Sequence, residues 1–407
     1  LSRLVLTDMF LSLTVGAALF AFWKFRESDS RVWSLLFWLS LGLSFLTKGP
    51  VGLAVVGLTL LLYKAFRGTA PWLLLLRPEG PLLAALVACP WYILESVRFE
   101  GLFSYLFHFQ TIDRVATEVH GRGGPIWFYL PVILAGFFPW SPALWVAFRD
   151  AFKRREELDL FLGAWILGPL LLFSLSGSKL PTYLLPLYPA FAMLVARALD
   201  NPRSTQSVAV SCATGLSVFT VALIAFLSFG LPPEIAPNLN ILRGVSFASG
   251  IGSVLSLYLC RVSRSTEALA AIGLSFAAVL ILLGGGIGRS DAAYSARQVA
   301  AVIRERESEC IVVEFKDHLH GLPYYLDHRI VQISYPRETQ FEQSADYRRY
   351  LFDSPEDFLA TLKPGQKVLV ITRNSDLEQA QAVFRDSEHI RVGHWDLLRL
   401  NGRQNDV

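Results

Sequence analysis

The chain has 407 residues, 53% of them hydrophobic and only 17% charged. Soluble domains run nearer ~25% charged, so these figures argue against a soluble globular protein and for an integral membrane protein. A net charge of +3 is too small to suggest a nucleic-acid partner. The four cysteines, Cys89, Cys212, Cys260 and Cys310, are scattered and three lie in apolar blocks, so neither a disulfide framework nor a zinc cluster is implied.

A spanning helix needs about 20 mostly apolar residues. Ten segments read as spans, at 5–23, 32–47, 50–64, 80–97, 125–147, 158–175, 181–198, 206–230, 241–260 and 266–288. The second and third are short and meet around Lys48-Gly49-Pro50. From about 291 the composition changes. Charged residues become frequent, and β-rich runs at Ile311-Val312-Val313 and 367–371 alternate with helical stretches near 293–306, 355–362 and 376–386. The predicted fold is an α-helical polytopic membrane domain over 1–290, with about ten spans, followed by a small soluble α/β domain over 291–407.

Loop charge predicts the orientation. With the segment before the first span outside, the inner loops hold fourteen basic residues and the outer connections six. Lysine and arginine resist translocation, so the C-terminal domain is expected outside, periplasmic in a diderm bacterium.

This orientation places the unusual polar residues on one face. Asp8 is near the outer end of the first span, and Lys48 is in a tight outer turn. Lys179 is in the outer turn Ser176-Gly177-Ser178-Lys179-Leu180-Pro181-Thr182-Tyr183. The longest connection, about 99–124, carries Arg114, Glu118, His120 and Arg122 behind an apolar, partly aromatic stretch, as expected of a segment lying in the interface plane. Ionisable groups near membrane depth are costly and tend to be paired or functional. Lys48, Lys179, Arg114 and Arg122 have few anions near them in sequence. Cations at this depth suit a lipid phosphate, which Arg can hold bidentately. An interfacial lysine is more often a snorkelling anchor, but Lys48 and Lys179 sit in Gly/Pro turns too short to need one. Asp8 either caps its helix or orients a substrate hydroxyl or amine. A histidine such as His120 in a Gly-rich loop is more often a hydrogen-bonding element than an acid or base. His318-Leu319-His320 has the spacing of half a metal site, but no Cys or third His is suitably placed, and a solvated loop is the preferred reading.

Several strings then resemble one family. They are Leu6-Thr7-Asp8-Met9, Phe45-Leu46-Thr47-Lys48-Gly49-Pro50, Pro90-Trp91-Tyr92, His120-Gly121-Arg122, Phe138-Pro139-Trp140, and the run from Phe173 to Pro186. Together they resemble the bacterial lipid-carrier-dependent glycosyltransferases of the GT-C membrane fold, closest to the aminoarabinose-transferase (ArnT-like) group and related to protein O-mannosyltransferases. The resemblance implies a polyprenyl-phosphate-linked sugar as donor, membrane lipids as surroundings, and a lipid A, glycan, protein or other lipid as acceptor. It implies that Lys48 and Lys179 lie near the donor phosphate, with Tyr183 in the same cavity and Asp8 beside it in a supporting role. Arg114, His120 and Arg122 join them as substrate-binding residues.

Two departures from the family pattern matter. The family begins with a further span and an outer loop carrying an acidic residue proposed as catalytic base. This chain opens at Leu1 without that segment, so it is expected to be an N-terminally truncated piece whose base lies outside it. A Glu-His pair that precedes the arginine in close members is Gln110-Thr111 here. That weakens the case for a divalent metal, and no other cofactor is implied. The expected reaction is an inverting transfer in which Lys48, Lys179 and Arg122 stabilise the departing phosphate. The alternatives are a flippase or transporter of a lipid-linked anionic sugar, which would show inverted repeats, and an inactive membrane scaffold.

Overall fold

The computed structural model describes residues 7–67, 77–99, 101–106, 124–229, 238–306, 310–319, 321–327, 329–334, 349–363, 365–385 and 387–400, the side chains of 286–294 excepted. The chain divides into two compact units, Leu1–Leu280 and Ile281–Val407, so the division falls ten residues before the change in composition.

Among the described residues of the first unit the predicted spans are helical. The helices are α1 (Thr7–Ser28), α2 (Arg31–Lys48), α3 (Val51–Arg67), α4 (Glu79–Arg98), α5 (Tyr129–Gly136), α6 (Ser141–Arg154), α7 (Glu157–Leu175), α8 (Tyr188–Ala198), α9 (Pro202–Ser228) and α10 (Leu239–Arg261). A further helix, α11 (Ser265–Tyr294), contains the division between the units. Among the described residues six helices are long and apolar enough to cross a membrane: α1, α4, α7, α9, α10 and the Ser265–Gly285 stretch of α11.

Two of the predicted spans differ from single long helices. The segment 125–147 bends by 109° between Ile126–Gly136 and Ser141–Arg154. Pro139 sits at the break, where it lacks an N–H and disfavours helical backbone at the residue before it. The segment 181–198 begins as a 3-10 helix over Pro181–Leu187 and becomes α-helical only at Tyr188. The short pair α2 and α3 has 18 and 17 residues, separated only by Gly49 and Pro50.

The core of this unit follows from helical periodicity. On α1, Leu11, Val15, Ala18, Phe22 and Phe25 are buried, at steps of four and three that keep them on one stripe. Phe10, Leu13 and Phe20 of the same helix are exposed. Large apolar side chains also stay exposed on α4, α9 and α10, a surface suited to lipid rather than water. Helix α1 packs on α2, α2 on α4, α3 on α7 and α9 on α10.

Ion pairs collect at one end of this bundle. Buried Asp159, at the start of α7, takes Arg154 at 2.9 Å and Arg197 at 3.0 Å. Glu157 pairs with Arg26 and accepts the Tyr63 hydroxyl at 2.7 Å. Asp8, Lys48 and Ser176 lie at the other ends of the same helices α1, α2–α3 and α7.

The second unit is a six-stranded sheet of order β3-β2-β1-β4-β6-β5. Its strands are β1 (Ile311–Phe315), β2 (Val331–Ile333), β3 (Leu351–Phe352), β4 (Val368–Arg373), β5 (Ser387–Val392) and β6 (Trp395–Leu400). Strands β3, β2, β1 and β4 are parallel, while β6 and β5 add antiparallel at the edge. Alternation across the pleat fills both faces. Val312, Leu369 and Leu397 pack with α12 (Ala296–Arg306). Val313, Val370 and Leu398 pack with Phe358 of α14 (Pro355–Thr361) and Ala380 of α15 (Leu377–Val383), while α13 (Leu322–Leu326) sends Leu322 to the first face.

One expectation for this unit is refined. His318 lies in the irregular segment after β1, as a loop residue, but is only partly exposed. Its Nδ1 is 2.6 Å from Oε2 of the buried Glu314, four residues back on β1. His320 lies outside the described residues.

Candidate functional site

Helix α2 ends at Lys48 because Gly49 follows with φ +63°, a left-handed value that glycine adopts without steric cost. The Gly49 amide donates to Phe45 O at 2.7 Å. Pro50 then leads into α3. The turn is held from outside by Tyr92 of α4, whose hydroxyl donates to the same Phe45 carbonyl at 3.1 Å. The Tyr92 ring meets that of Phe45 edge-on, with centroids 5.1 Å apart. A carbonyl oxygen has two lone pairs, so one acceptor ties the turn to both donors and fixes where Lys48 starts.

The Lys48 ammonium reaches Asp8 in the first turn of α1. It also lies over the ring of Tyr183, 4.8 Å from the centroid, within cation–π range. Asp8 is 6% exposed. Its second carboxylate oxygen accepts from Thr182 Oγ1 at 2.9 Å. Tyr183 in turn packs against Phe173 of α7, 5.1 Å between centroids. Four separate pieces of chain (α1, the α2–α3 turn, α7 and the 3-10 helix) therefore converge on one cluster.

The cluster opens on a cavity of about 440 Å³. Its polar end is formed by Asp8, Lys48, Ser176 and Tyr183, and the rest is largely apolar, including Leu46, Trp91, Leu106 and Leu172. A cation at one end of an apolar pocket suits an amphiphile with an anionic head.

The predicted residues are placed as follows. Asp8, Lys48 and Tyr183 are brought together. Lys48 was expected to have few anions nearby, but the structure pairs it with Asp8, which also accepts from Thr182. Lys179 is buried, and its ammonium donates to Ser176 O at 2.7 Å within its own turn. It is absent from the cavity wall, while Ser176, whose carbonyl it holds, is on it. Gly124 backs onto it, its missing Cβ direction 3.4 Å from Lys179 Cδ. Arg114, His120 and Arg122 lie outside the described residues, as does most of the 99–124 connection. Among the described residues no group of three or more His, Cys, Asp or Glu could hold a metal ion.

Sequence reasoning missed Thr182, Ser176, Phe173 and Tyr92 as site residues. The string Pro90-Trp91-Tyr92 carried a signal, since an aromatic pair in an otherwise aliphatic span needs a partner for its hydroxyl. Thr182 carried none, because its partner Asp8 is 174 residues away.

No family model matches the chain. A solved structure of ArnT from Cupriavidus metallidurans bound to undecaprenyl phosphate superposes with TM-score 0.77 at 24% identity, over 98% of this chain and 76% of that one. The apo form of the same protein gives 0.75 at 25% identity, over 98% and 75%. The chain therefore has the GT-C fold of membrane glycosyltransferases and is a multi-pass inner-membrane protein.

Within that class the resemblance is to the ArnT-like group, as the lysine motifs indicated. The chain is 36% identical over 195 residues to an undecaprenyl phosphate-alpha-4-amino-4-deoxy-L-arabinose arabinosyl transferase of Aeromonas salmonicida, covering 46% of this chain and 36% of the relative. It is 35% identical over 228 residues to the protein of that name from Pseudomonas aeruginosa strain PAO1, covering 54% and 42%. The matches thus span well under half the length of these curated relatives.

Proposed function

We propose that the protein transfers a sugar from a polyprenyl-phosphate donor to an acceptor hydroxyl or amine at the outer face of the inner membrane, with its C-terminal α/β domain in the periplasm. The observation that carries this reading is the Lys48 ammonium, held by Asp8 and Tyr183 at the polar end of an otherwise apolar cavity. The names of the relatives and the ligand of the structural neighbour support the donor class.

In the proposed reaction the acceptor nucleophile attacks the anomeric carbon with inversion, and its proton passes to a base. The bond from that carbon to the phosphate oxygen breaks, and its electron pair leaves with the polyprenyl phosphate. Phosphate is a competent leaving group, so the protein's task is to stabilise charge that grows on the departing oxygen. A cation already fixed in a water-poor site does this without reorganising. Lys48 is assigned that role. Lys179 supports it indirectly by holding the Ser176 turn, and Arg114, His120 and Arg122 are assigned to the substrate side of the same face. Asp8 and Thr182 orient Lys48, and Tyr183 carries its cation.

The test is incubation of the full-length protein in proteoliposomes with a labelled polyprenyl-phosphate sugar and an outer-leaflet acceptor. Appearance of free polyprenyl phosphate together with labelled acceptor supports the transferase. Movement of intact donor between leaflets with no transfer would replace it with a flippase.

A further inference from the structure

One helix of the bundle carries an exposed face that neither the cavity nor the packing of the helices uses. Helix α6 has 14 residues, about 21 Å at 1.5 Å per residue, so it does not cross a ~30 Å hydrocarbon core alone. Its two ends fix where it runs. The missing Cβ direction of Gly215, half-way along α9, points at Pro142 in the first turn of α6, 2.7 Å from its Cγ. Arg154 in the last turn donates to Arg197 O at 3.2 Å, just before α9 begins. Helix α6 therefore lies alongside the half of α9 that ends among the Asp159 ion pairs.

The two sides of α6 differ. Ala143, Leu144, Val146 and Ala147 are buried. Trp145, Phe148 and Phe152, at steps of three and four, are 78%, 41% and 72% exposed and form one stripe. Arg149 follows Trp145 by four residues and Lys153 follows Arg149 by four, so both edge that stripe. Beyond its end, Arg155 lies over the Phe152 ring, 4.7 Å from the centroid. Arg149 takes Asp150 at 3.1 Å, while the neighbouring acids Glu156 and Asp159 are held by Arg197 and Arg154. Lys153 and Arg155 are exposed, and among the described residues neither has a carboxylate partner.

The dimensions and the charge point to one kind of ligand. From Trp145 to Lys153 the stripe runs about 12 Å, close to the ~15 Å that one leaflet contributes to the hydrocarbon core. Flat aromatic faces offer an acyl chain a large apolar contact. Cations without carboxylates at the end of that contact suit a phosphate, which Arg can hold bidentately. A zwitterionic headgroup would bring its own cation into this cationic corner, and an anionic one would not.

We propose that this face of α6 binds an anionic phospholipid, with its phosphate on Lys153 and Arg155 and one acyl chain along Phe152, Phe148 and Trp145. In the topology proposed above the lipid belongs to the cytoplasmic leaflet, and the site is independent of the donor reading of the cavity.

The experiment measures lipid binding to the full-length protein in detergent by native mass spectrometry, with dioleoylphosphatidylglycerol and dioleoylphosphatidylcholine, which share their chains. The wild type should hold the anionic lipid more tightly by about tenfold or more, on a scale of roughly fivefold per basic residue near an anionic headgroup. The preference should shrink as added salt screens it. Equal affinities for the two lipids overturn the site, whatever the variants do. The double variant Lys153→Gln, Arg155→Gln should bind both lipids alike, and a preference that survives in it places the anionic lipid elsewhere and overturns the assignment. Trp145→Ala, at an exposed position, should weaken both lipids several-fold and keep the preference; unchanged binding of both overturns the placement of the chain. Farnesyl phosphate is the competitor from the carrier class. Displacement of most of the phosphatidylglycerol by an equal concentration of it would assign the face to the carrier and overturn the proposal.

Discussion

Lys48 has three neighbours that define its work: Asp8, the Tyr183 ring and, through Asp8, Thr182. Removing one member of a buried ion pair leaves an uncompensated charge, at a cost of about 3–5 kcal/mol. Removing a hydrogen bond to a charged group costs less, about 1.5–3 kcal/mol. Thr182→Val should therefore reduce sugar transfer without unfolding the bundle, and Thr182→Ser, which keeps the hydroxyl, should restore it. Transfer rates with circular dichroism as a folding control check this. A Thr182→Val variant with wild-type rates would show that Asp8 needs no second partner. Lys48 was legible in the sequence because a charged residue in a Gly-Pro turn between two apolar runs has few structural reasons to be there. Its pairing with Asp8 was not legible. The two are 40 residues apart, and only the packing of α1 on α2 decides that they meet.

At the scale of elements, the α2–α3 turn sets the position of the cation. Gly49 at φ +63° admits a side chain only with strain, so Gly49→Ala should cost about 1 kcal/mol or more and displace Lys48. Tyr92→Phe removes one of the two donors to Phe45 O and should lower transfer severalfold, on the scale of about 1 kcal/mol for one hydrogen bond. Donor titrations check both, with the loss expected in kcat/KM and the helical content unchanged.

The soluble sheet offers a pH test. The carboxylate of Glu314 beside His318 raises the imidazole above its ordinary pKa, chiefly through their hydrogen bond and against the opposing effect of burial. A raised folded pKa stabilises the protonated form. The contribution is complete below about pH 6.5, the ordinary value, and is lost as the pH rises through the raised one. Intrinsic-rate-corrected amide exchange in β1 and β2 should quicken across that window, and His318→Gln should remove the dependence. Pattern reading found β1 and β4 because their apolar runs are continuous, as buried parallel strands are. It missed β5, whose alternating charged residues mark it as an edge. Nor did it show the 109° bend within 125–147, because hydropathy sums over a proline that geometry does not.

For the whole molecule, charge and apolar length together explain the architecture. The bundle keeps large apolar side chains on its surface and gathers the Asp159, Arg154 and Arg197 ion pairs at one end, with the cavity at the other. Loop counting in the sequence placed those basic residues on the inner side. In the proposed topology the cavity faces outward, so a cysteine at Thr47 should react with a membrane-impermeant maleimide from the periplasm, and one at Lys153 should react only after permeabilisation. The reverse pattern would invert the topology. Polarity of the two ends was readable because it depends on composition. The cavity itself was not, because its wall is drawn from distant helices and a 3-10 turn that no periodicity marks.

The most direct test of the account is the rate of sugar transfer from a polyprenyl-phosphate donor by full-length Lys48→Met protein whose folding matches the wild type. If Lys48 stabilises the departing phosphate, transfer falls by about a hundredfold or more, the usual loss when one preorganised electrostatic group is removed. Transfer at the wild-type rate would contradict the assignment of the cavity.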